Sequence, residues 1–97
     1  MVVIQNVIEF EWDEGNRGKN RKHRVDDKES EEVFFDEHSR IFKDVLHSQH
    51  EERLRIIGKT QQGRLLFIVF TKRGDKVRII SARDTNRNEE KLYEEAT

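Results

Sequence analysis

Three β-branched and aliphatic runs occupy residues 52–60, 64–71 and 76–83, with the clusters Gln61-Gln62-Gly63 and Arg73-Gly74-Asp75 between them. Turn-forming clusters of hairpin length between such runs predict a three-stranded antiparallel meander. In the middle run, Leu65-Leu66-Phe67-Ile68-Val69-Phe70, every successive position is apolar. Both faces of that strand therefore want burial, which puts it centrally in the sheet under packed helices.

The first half is less regular. Ile8, Phe10 and Trp12 alternate with Glu9 and Glu11, the period of a half-buried strand, at the end of an apolar stretch over residues 2–12. Asp13 stands as the N-cap of a helix over residues 14–23, with Glu14 in its first turn and basic residues toward its end, as the helix dipole prefers. This helix has almost no apolar face and depends on its neighbours. Asp26 or Asp27 caps a second helix through residue 36, anchored by Val33 and Phe34. A short strand at residues 40–43 around Ile41 and Phe42 precedes a polar loop at 44–52. A last helix, capped by Thr85 or Asn86, runs through residue 95 with Leu92 and Tyr93 as its apolar contacts. The order is β-α-α-β-β-β-β-α. It describes a small single α+β domain over residues 1–97, with an antiparallel sheet and a carboxy-terminal three-stranded meander packed by helices.

Only 33% of the residues are hydrophobic and 40% are charged, so the core is thin. The chain lacks cysteine, which excludes disulfides and thiolate zinc sites. No apolar stretch reaches the roughly 20 residues of a membrane span. The first ten residues carry Gln5, Asn6 and Glu9 and no basic leader, so a cytoplasmic location is expected. The net charge of -1 hides a segregation. Residues 16–24 hold Arg17, Lys19, Arg21, Lys22 and Arg24 without an acid, residues 25–52 are dominated by acids, and residues 53–87 are again basic. Such blocks can give a nearly neutral protein one positive and one negative face.

Arginines on strands are the first candidates for chemistry, because a guanidinium in a half-buried sheet calls for an anion. Arg53 and Arg55 share a face. Arg78 lies among Val77, Ile79 and Ile80, and simple pleating puts it on the opposite face from Arg83 unless a bulge intervenes. Lys22-His23 closes the basic helix, where a histidine serves either as a dipole cap or in proton transfer. His47 and His50 with Asp44 and Glu51 have the residue types of a metal site, but they fall in a loop without a scaffold and read as solvated polar residues. There is no glycine-rich phosphate loop and no serine-centred elbow.

Several segments together carry a family likeness: Phe10-Glu11-Trp12-Asp13-Glu14, Lys22-His23, Glu32-Val33-Phe34, Glu52-Arg53, Gly63-Arg64-Leu65-Leu66, Val69-Phe70-Thr71-x-Arg73-Gly74, Arg78-Ile79-Ile80-Ser81-Ala82-Arg83 and Leu92-Tyr93. The chain resembles BrnT-type toxins of bacterial type II toxin-antitoxin modules over nearly its whole length. The resemblance implies a RelE-like fold, ribonuclease activity that arrests translation, and neutralisation by a BrnA-type antitoxin, itself the DNA-binding member of the pair. Neither a cofactor nor a membrane is implied. Two departures stand out. One residue separates Asn20 from Lys22-His23 where the family usually has two, a difference of about 100° around a helix. Glu89-Glu90-Lys91 also stands where the family tends to have Glu-Arg, which lowers the positive charge beside the expected RNA face.

Under this resemblance Arg53, Arg78 and Arg83 are expected to clamp phosphate without a metal, with Lys22 and His23 as candidates for proton transfer and positioning. A second reading, from a different class, is a noncatalytic binding module whose basic sheet docks an acidic protein partner. The acidic second helix favours it, since it would repel a long RNA backbone.

Overall fold

Burial on both sides of the 65–70 run places it at the centre of a five-stranded sheet. The computed structural model describes residues 8–44 and 51–95. Its strands are β1 (Glu9–Phe10), β2 (Arg40–Lys43), β3 (Arg53–Lys59), β4 (Leu65–Arg73) and β5 (Lys76–Asp84), in the spatial order β1-β5-β4-β3-β2. The meander β3-β4-β5 is antiparallel, as its short turns require, and β2 adds antiparallel to β3. Gly74 supplies the positive φ of 60° at the head of the two-residue β4-β5 turn. The expectation of a wholly antiparallel sheet is corrected at one edge. There β1 runs parallel to β5, pairing Glu9 with Lys76 and Phe10 with Val77. The intervening chain crosses the whole sheet before β5 is made, so a hairpin rule has no purchase on this pair. The radius of gyration, 12.7 Å, matches the roughly 13 Å of a compact chain near this length.

One face of the sheet carries the main core. Ile56, Leu66, Ile68, Phe70, Ile79 and Ala82 project from it against Val25 and Val33, with Phe10, Trp12 and Phe34 packed around them. Phe34 sits edge-on to both Phe10 and Phe70, with ring centroids 5.3 and 5.0 Å apart. The cover is the short helix α1 (Asp27–Glu32) followed by a 3-10 turn, Val33–Phe35. Asp26 caps α1 in a reciprocal box with Glu29, so the expected start holds. The expected helix through residue 36 tightens to 3-10 geometry at Val33 instead. The carboxy-terminal helix α2 (Arg87–Glu95) lies on the opposite face. Its Asn86 cap also closes a box, Asn86 Oδ1 accepting from the Glu89 N–H and Glu89 Oε1 from the Asn86 N–H, both at 2.9 Å.

Residues 14–23 do not form the expected α-helix. They make turns and a 3-10 segment, Lys19–His23, that starts after Gly18 at φ 68° and ends at Arg24 at φ 61°. Local polar bonds win over the helix: Asp13 Oδ1 accepts from the Gly15 N–H and Asn16 Oδ1 from the Asp13 N–H, at 2.8 Å each. The reason lies further away, in β5. Beyond its two-residue pairing with β1, the outer edge of β5 has no strand beside it among the described residues. Instead Asn16 Nδ2 donates to the Ile79 carbonyl and Asn20 Oδ1 accepts from the Ala82 N–H, both at 3.0 Å. Two buried side-chain amides thus satisfy backbone groups that a sixth strand would otherwise take.

Candidate functional site

The second face of the sheet is where the arginines gather, and a bulge in β5 brings them together. Val69 pairs with Ser81 but Phe70 pairs with Ile79, so Ile80 is an extra residue. It breaks the alternation between Ile79 and Ala82, which both face the main core, and leaves Arg78 and Arg83 on the same opposite face. The sequence expectation of opposite faces held only for an unbroken pleat. The register then builds cross-strand rows on this face. Arg53 is opposite Thr71 and Thr71 is opposite Arg78, which sets the two arginines on flanking strands roughly 10 Å apart. A second row runs Ser81-Val69-Arg55-Phe42, and a third runs Arg83-Phe67-Ile57-Arg40.

Two of the three predicted clamps hold internal carboxylates. Arg78, 13% exposed, donates through both terminal nitrogens to Asp13 at 2.9 and 3.0 Å and to Glu11 at 3.1 Å. The Arg78 hydrogen bond, helped by the Gly15 N–H, holds the Asp13 carboxyl below its ordinary value, and the guanidinium is correspondingly harder to deprotonate. Arg83 makes a fork-to-fork pair with Glu89 of α2, both bonds 2.9 Å, and its Cζ lies 4.3 Å from the centroid of the Phe67 ring. Burial pushes the Glu89 carboxyl up, but the Arg83 fork and the Asn86 N–H more than reverse this, so it too lies below its usual range. Arg53 shares the row of Arg78, and its carbonyl accepts from the Asp44 N–H at 2.8 Å.

Lys22 and His23 are exposed in the basic 3-10 turn. Arg64 fixes where that turn sits. Its guanidinium donates to the His23 and Arg24 carbonyls at 3.3 and 2.7 Å, to Glu29 at 3.0 Å and to Asp84 at 2.8 Å. Because Asp84 follows Arg83, the turn is tethered at the Arg83 end of β5, while Arg78 lies at the other end beside Asp13. The five predicted residues are therefore spread out: Arg53 and Arg78 share a row, Arg83 lies two rows along the same face, and the Lys22-His23 turn is tethered near that end of β5 through Asp84, which pairs with Leu66 of the main-core face. They do not form one tight cluster.

Sequence reasoning passed over the carboxylates that load these arginines, and it passed over Arg64 as an organiser. It noted Arg55 only as sharing a face with Arg53. Arg55 lies beside Phe42, with its Cζ 5.8 Å from the ring centroid, and its Nε is buried without an acceptor. No local pattern marks most of these roles, since the partners of Arg64 and Arg78 lie 20 to 67 residues away, and only Glu89 is near its arginine in sequence. His47 and His50 lie outside the described residues. Among the described ones no group of three histidines, aspartates or glutamates is placed to hold a metal ion. None of the helices there is long and apolar enough to cross a membrane.

None of the curated proteins compared with the chain matches it. The family described as the ribonuclease toxin BrnT of type II toxin-antitoxin systems matches over residues 12–89, a span that takes in the 3-10 turn, all of β2 to β5 and the start of α2. Most of the chain, including every arginine of the second face, lies within that match, and the protein belongs to the BrnT family of ribonuclease toxins.

Proposed function

We propose that this chain is a metal-independent endoribonuclease with a RelE-like architecture, which arrests translation in the cytoplasm until a BrnA-type antitoxin covers its basic face. The observation that carries the reading is the common face of Arg53, Arg78 and Arg83, which a bulge at Ile80 and the Arg53-Thr71-Arg78 row create. In the reaction the 2′-hydroxyl oxygen of RNA attacks the adjacent phosphorus, the bond to the 5′-oxygen breaks, and a cyclic phosphate remains. The protein must accept one proton, stabilise the extra charge on the nonbridging oxygens and return a proton to the leaving oxygen. Arginine forks suit the second task, because they bind two oxygens at once and strengthen where charge develops. Arg53 and Arg78 take the nonbridging oxygens in this scheme. Arg83 orients the strand toward the Lys22-His23 turn, whose side chains are the candidates for proton transfer.

Purified protein is expected to cleave RNA in the presence of a chelator and to leave 2′,3′-cyclic phosphate ends, with Arg78→Ala at least ten-fold slower. Cleavage by Arg78→Ala at the wild-type rate would remove Arg78 from the site. Expression of the chain alone is expected to stop growth with RNA breakage, and co-expression of the adjacent reading frame to restore it.

The second reading, a noncatalytic module that docks an acidic partner, draws on the pairs Arg78-Asp13 and Arg83-Glu89. A partner's carboxylates would exchange for internal ones of the same chemistry. Growth arrest with intact RNA would favour it.

A further inference from the structure

Arg55 differs from Arg73, Arg78 and Arg83 on its face in having no carboxylate hydrogen-bonded to it among the described residues. Arg78 is loaded by Asp13 and Glu11, Arg83 by Glu89, and Arg73 by Glu11 and Glu51. Arg40, at the edge, gives its Nη1 to the Leu92 carbonyl at 3.1 Å. Arg55 has the Phe42 ring beside it and the Glu89 carboxylate within electrostatic reach, but its Nε is buried with no acceptor. A charged donor left in that state is an expensive feature for a thin-cored protein to keep. An arriving anion would complete it. The nearby Glu89 carboxylate serves the Arg83 fork and the Asn86 N–H and makes no hydrogen bond to Arg55.

We propose that Arg55, with Phe42 and Arg40 stacked beside it, is an anion subsite that receives a phosphodiester of the RNA strand next to the scissile one. This rests on the ribonuclease reading of the same face. The geometry agrees with it in two ways. Arg55 sits one row from the Arg53-Thr71-Arg78 row, so an anion at Arg55 is displaced along the sheet from the one that Arg53 and Arg78 hold. Phe42 carries guanidinium carbons at 5.2 and 5.8 Å from its centroid, and rings and guanidinium planes both stack bases. A fork for phosphate beside a flat surface for a base matches a nucleotide better than an acidic peptide, which offers carboxylates and nothing to stack.

The test uses the full chain and a fluorescent RNA hexamer with 2′-O-methyl groups throughout, which cannot be cleaved through the 2′-oxygen. Affinity is measured against salt for the wild type, Arg55→Gln and Arg55→Lys, with a thermal melt to establish that each is folded. Arg55→Gln is expected to bind about ten-fold more weakly at low salt. Its log-log salt slope is expected to fall by about 0.7, one phosphate contact on a single strand. Arg55→Lys should recover the slope and only part of the affinity, since a point charge replaces the fork. Wild-type affinity in Arg55→Gln overturns the proposal, and so does a weaker affinity with an unchanged slope, which marks a structural role. Competition by hexaglutamate as strong as by an unlabelled strand of equal charge also overturns it, in favour of a carboxylate receptor. If the wild type leaves the all-ribose hexamer intact while Arg55→Gln loses the slope, the subsite stands and the ribonuclease reading falls.

Discussion

Asn20 keeps a buried amide whose oxygen takes the Ala82 N–H while its Nδ2 has no acceptor among the described residues. The half-satisfied side chain is tolerated because the alternative, an orphaned β5 N–H under the main core, costs about 1–3 kcal/mol. Asn20→Ala is therefore expected to lower stability by about 2–3 kcal/mol, read as a lower urea midpoint with an unchanged m-value. Asn16→Ala should behave similarly, since Asn16 serves the Ile79 carbonyl and the Glu11 carbonyl together. Glu89 poses the opposite case, a residue whose bond competes with the proposed function. Its partner Arg83 is 39% exposed, so the pair contributes only about 0.4–1 kcal/mol. On the proposed reading an RNA phosphate arriving at Arg83 has to displace it. Glu89→Gln is expected to tighten binding of uncleavable RNA by about two- to five-fold, the same energy expressed as affinity, while lowering the melting temperature. An unchanged affinity would place RNA away from Arg83. Neither residue's role was legible in the sequence. Asn16 and Asn20 look like ordinary polar positions of a basic helix until β5 is found beside them.

At the scale of elements, Gly58 decides how closely the 3-10 turn Val33–Phe35 approaches β3. A Cβ there would lie 2.8 Å from Val33 Cγ1, 3.0 Å from Ser39 Cβ and 3.1 Å from the Val33 carbonyl oxygen. Backbone and a buried β-branched side chain cannot both yield, so Gly58→Ala is expected to destabilise by about 1–3 kcal/mol as overpacking, measurable by denaturant titration. What the sequence revealed and concealed also divides by element. The meander, the Asp26 and Asn86 caps and the β2 strand were legible, because each is written in a few adjacent residues and their turns. The parallel pairing of β1 was not, since nothing in Glu9-Phe10 specifies a partner more than sixty residues away. The Ile80 bulge was equally hidden: Ile79-Ile80-Ser81 contains no glycine, and the bulge becomes visible only in the pairing with Val69 and Phe70. That one extra residue decides whether Arg78 and Arg83 share a face. The candidate site was thus legible as a set of residue types and illegible as a geometry.

Across the whole molecule the charge blocks of the sequence fold onto one another. Glu29 and Asp84 meet Arg64, Glu11 and Asp13 meet Arg78, and Glu89 meets Arg83, so segregation along the chain becomes pairing in space. Pairing of this kind makes the docking of α2 depend on pH. Besides Glu89, the helix is held by Tyr93, 5% exposed, whose hydroxyl donates to Asp36 Oδ2 at 2.7 Å from the far side of the sequence. Burial raises Asp36, but the Lys59 N–H, the Tyr93 hydroxyl and the His38 N–H outweigh it, leaving the carboxyl below its ordinary value. A depressed carboxyl stabilises the fold above its unfolded pKa, about 4, and loses that contribution as the pH falls through the folded value. Acid should therefore release α2 from the Asp36 and Glu89 ends together. The alkaline limit has the opposite sign. Burial and then the Asp36 bond push the Tyr93 hydroxyl up to about 12 from 10, so its contribution is complete below 10 and disappears between 10 and about 12. Tyr93 is the one tyrosine of the chain, so tyrosinate absorbance reports α2 docking without interference. The wild type is expected to titrate near 12, and Asp36→Asn to titrate lower but still above the ordinary value, because burial remains when the carboxylate is gone. A wild-type titration at the ordinary value would mean that Tyr93 is not held under α2 against Asp36, and that the helix does not close this end of the arginine face.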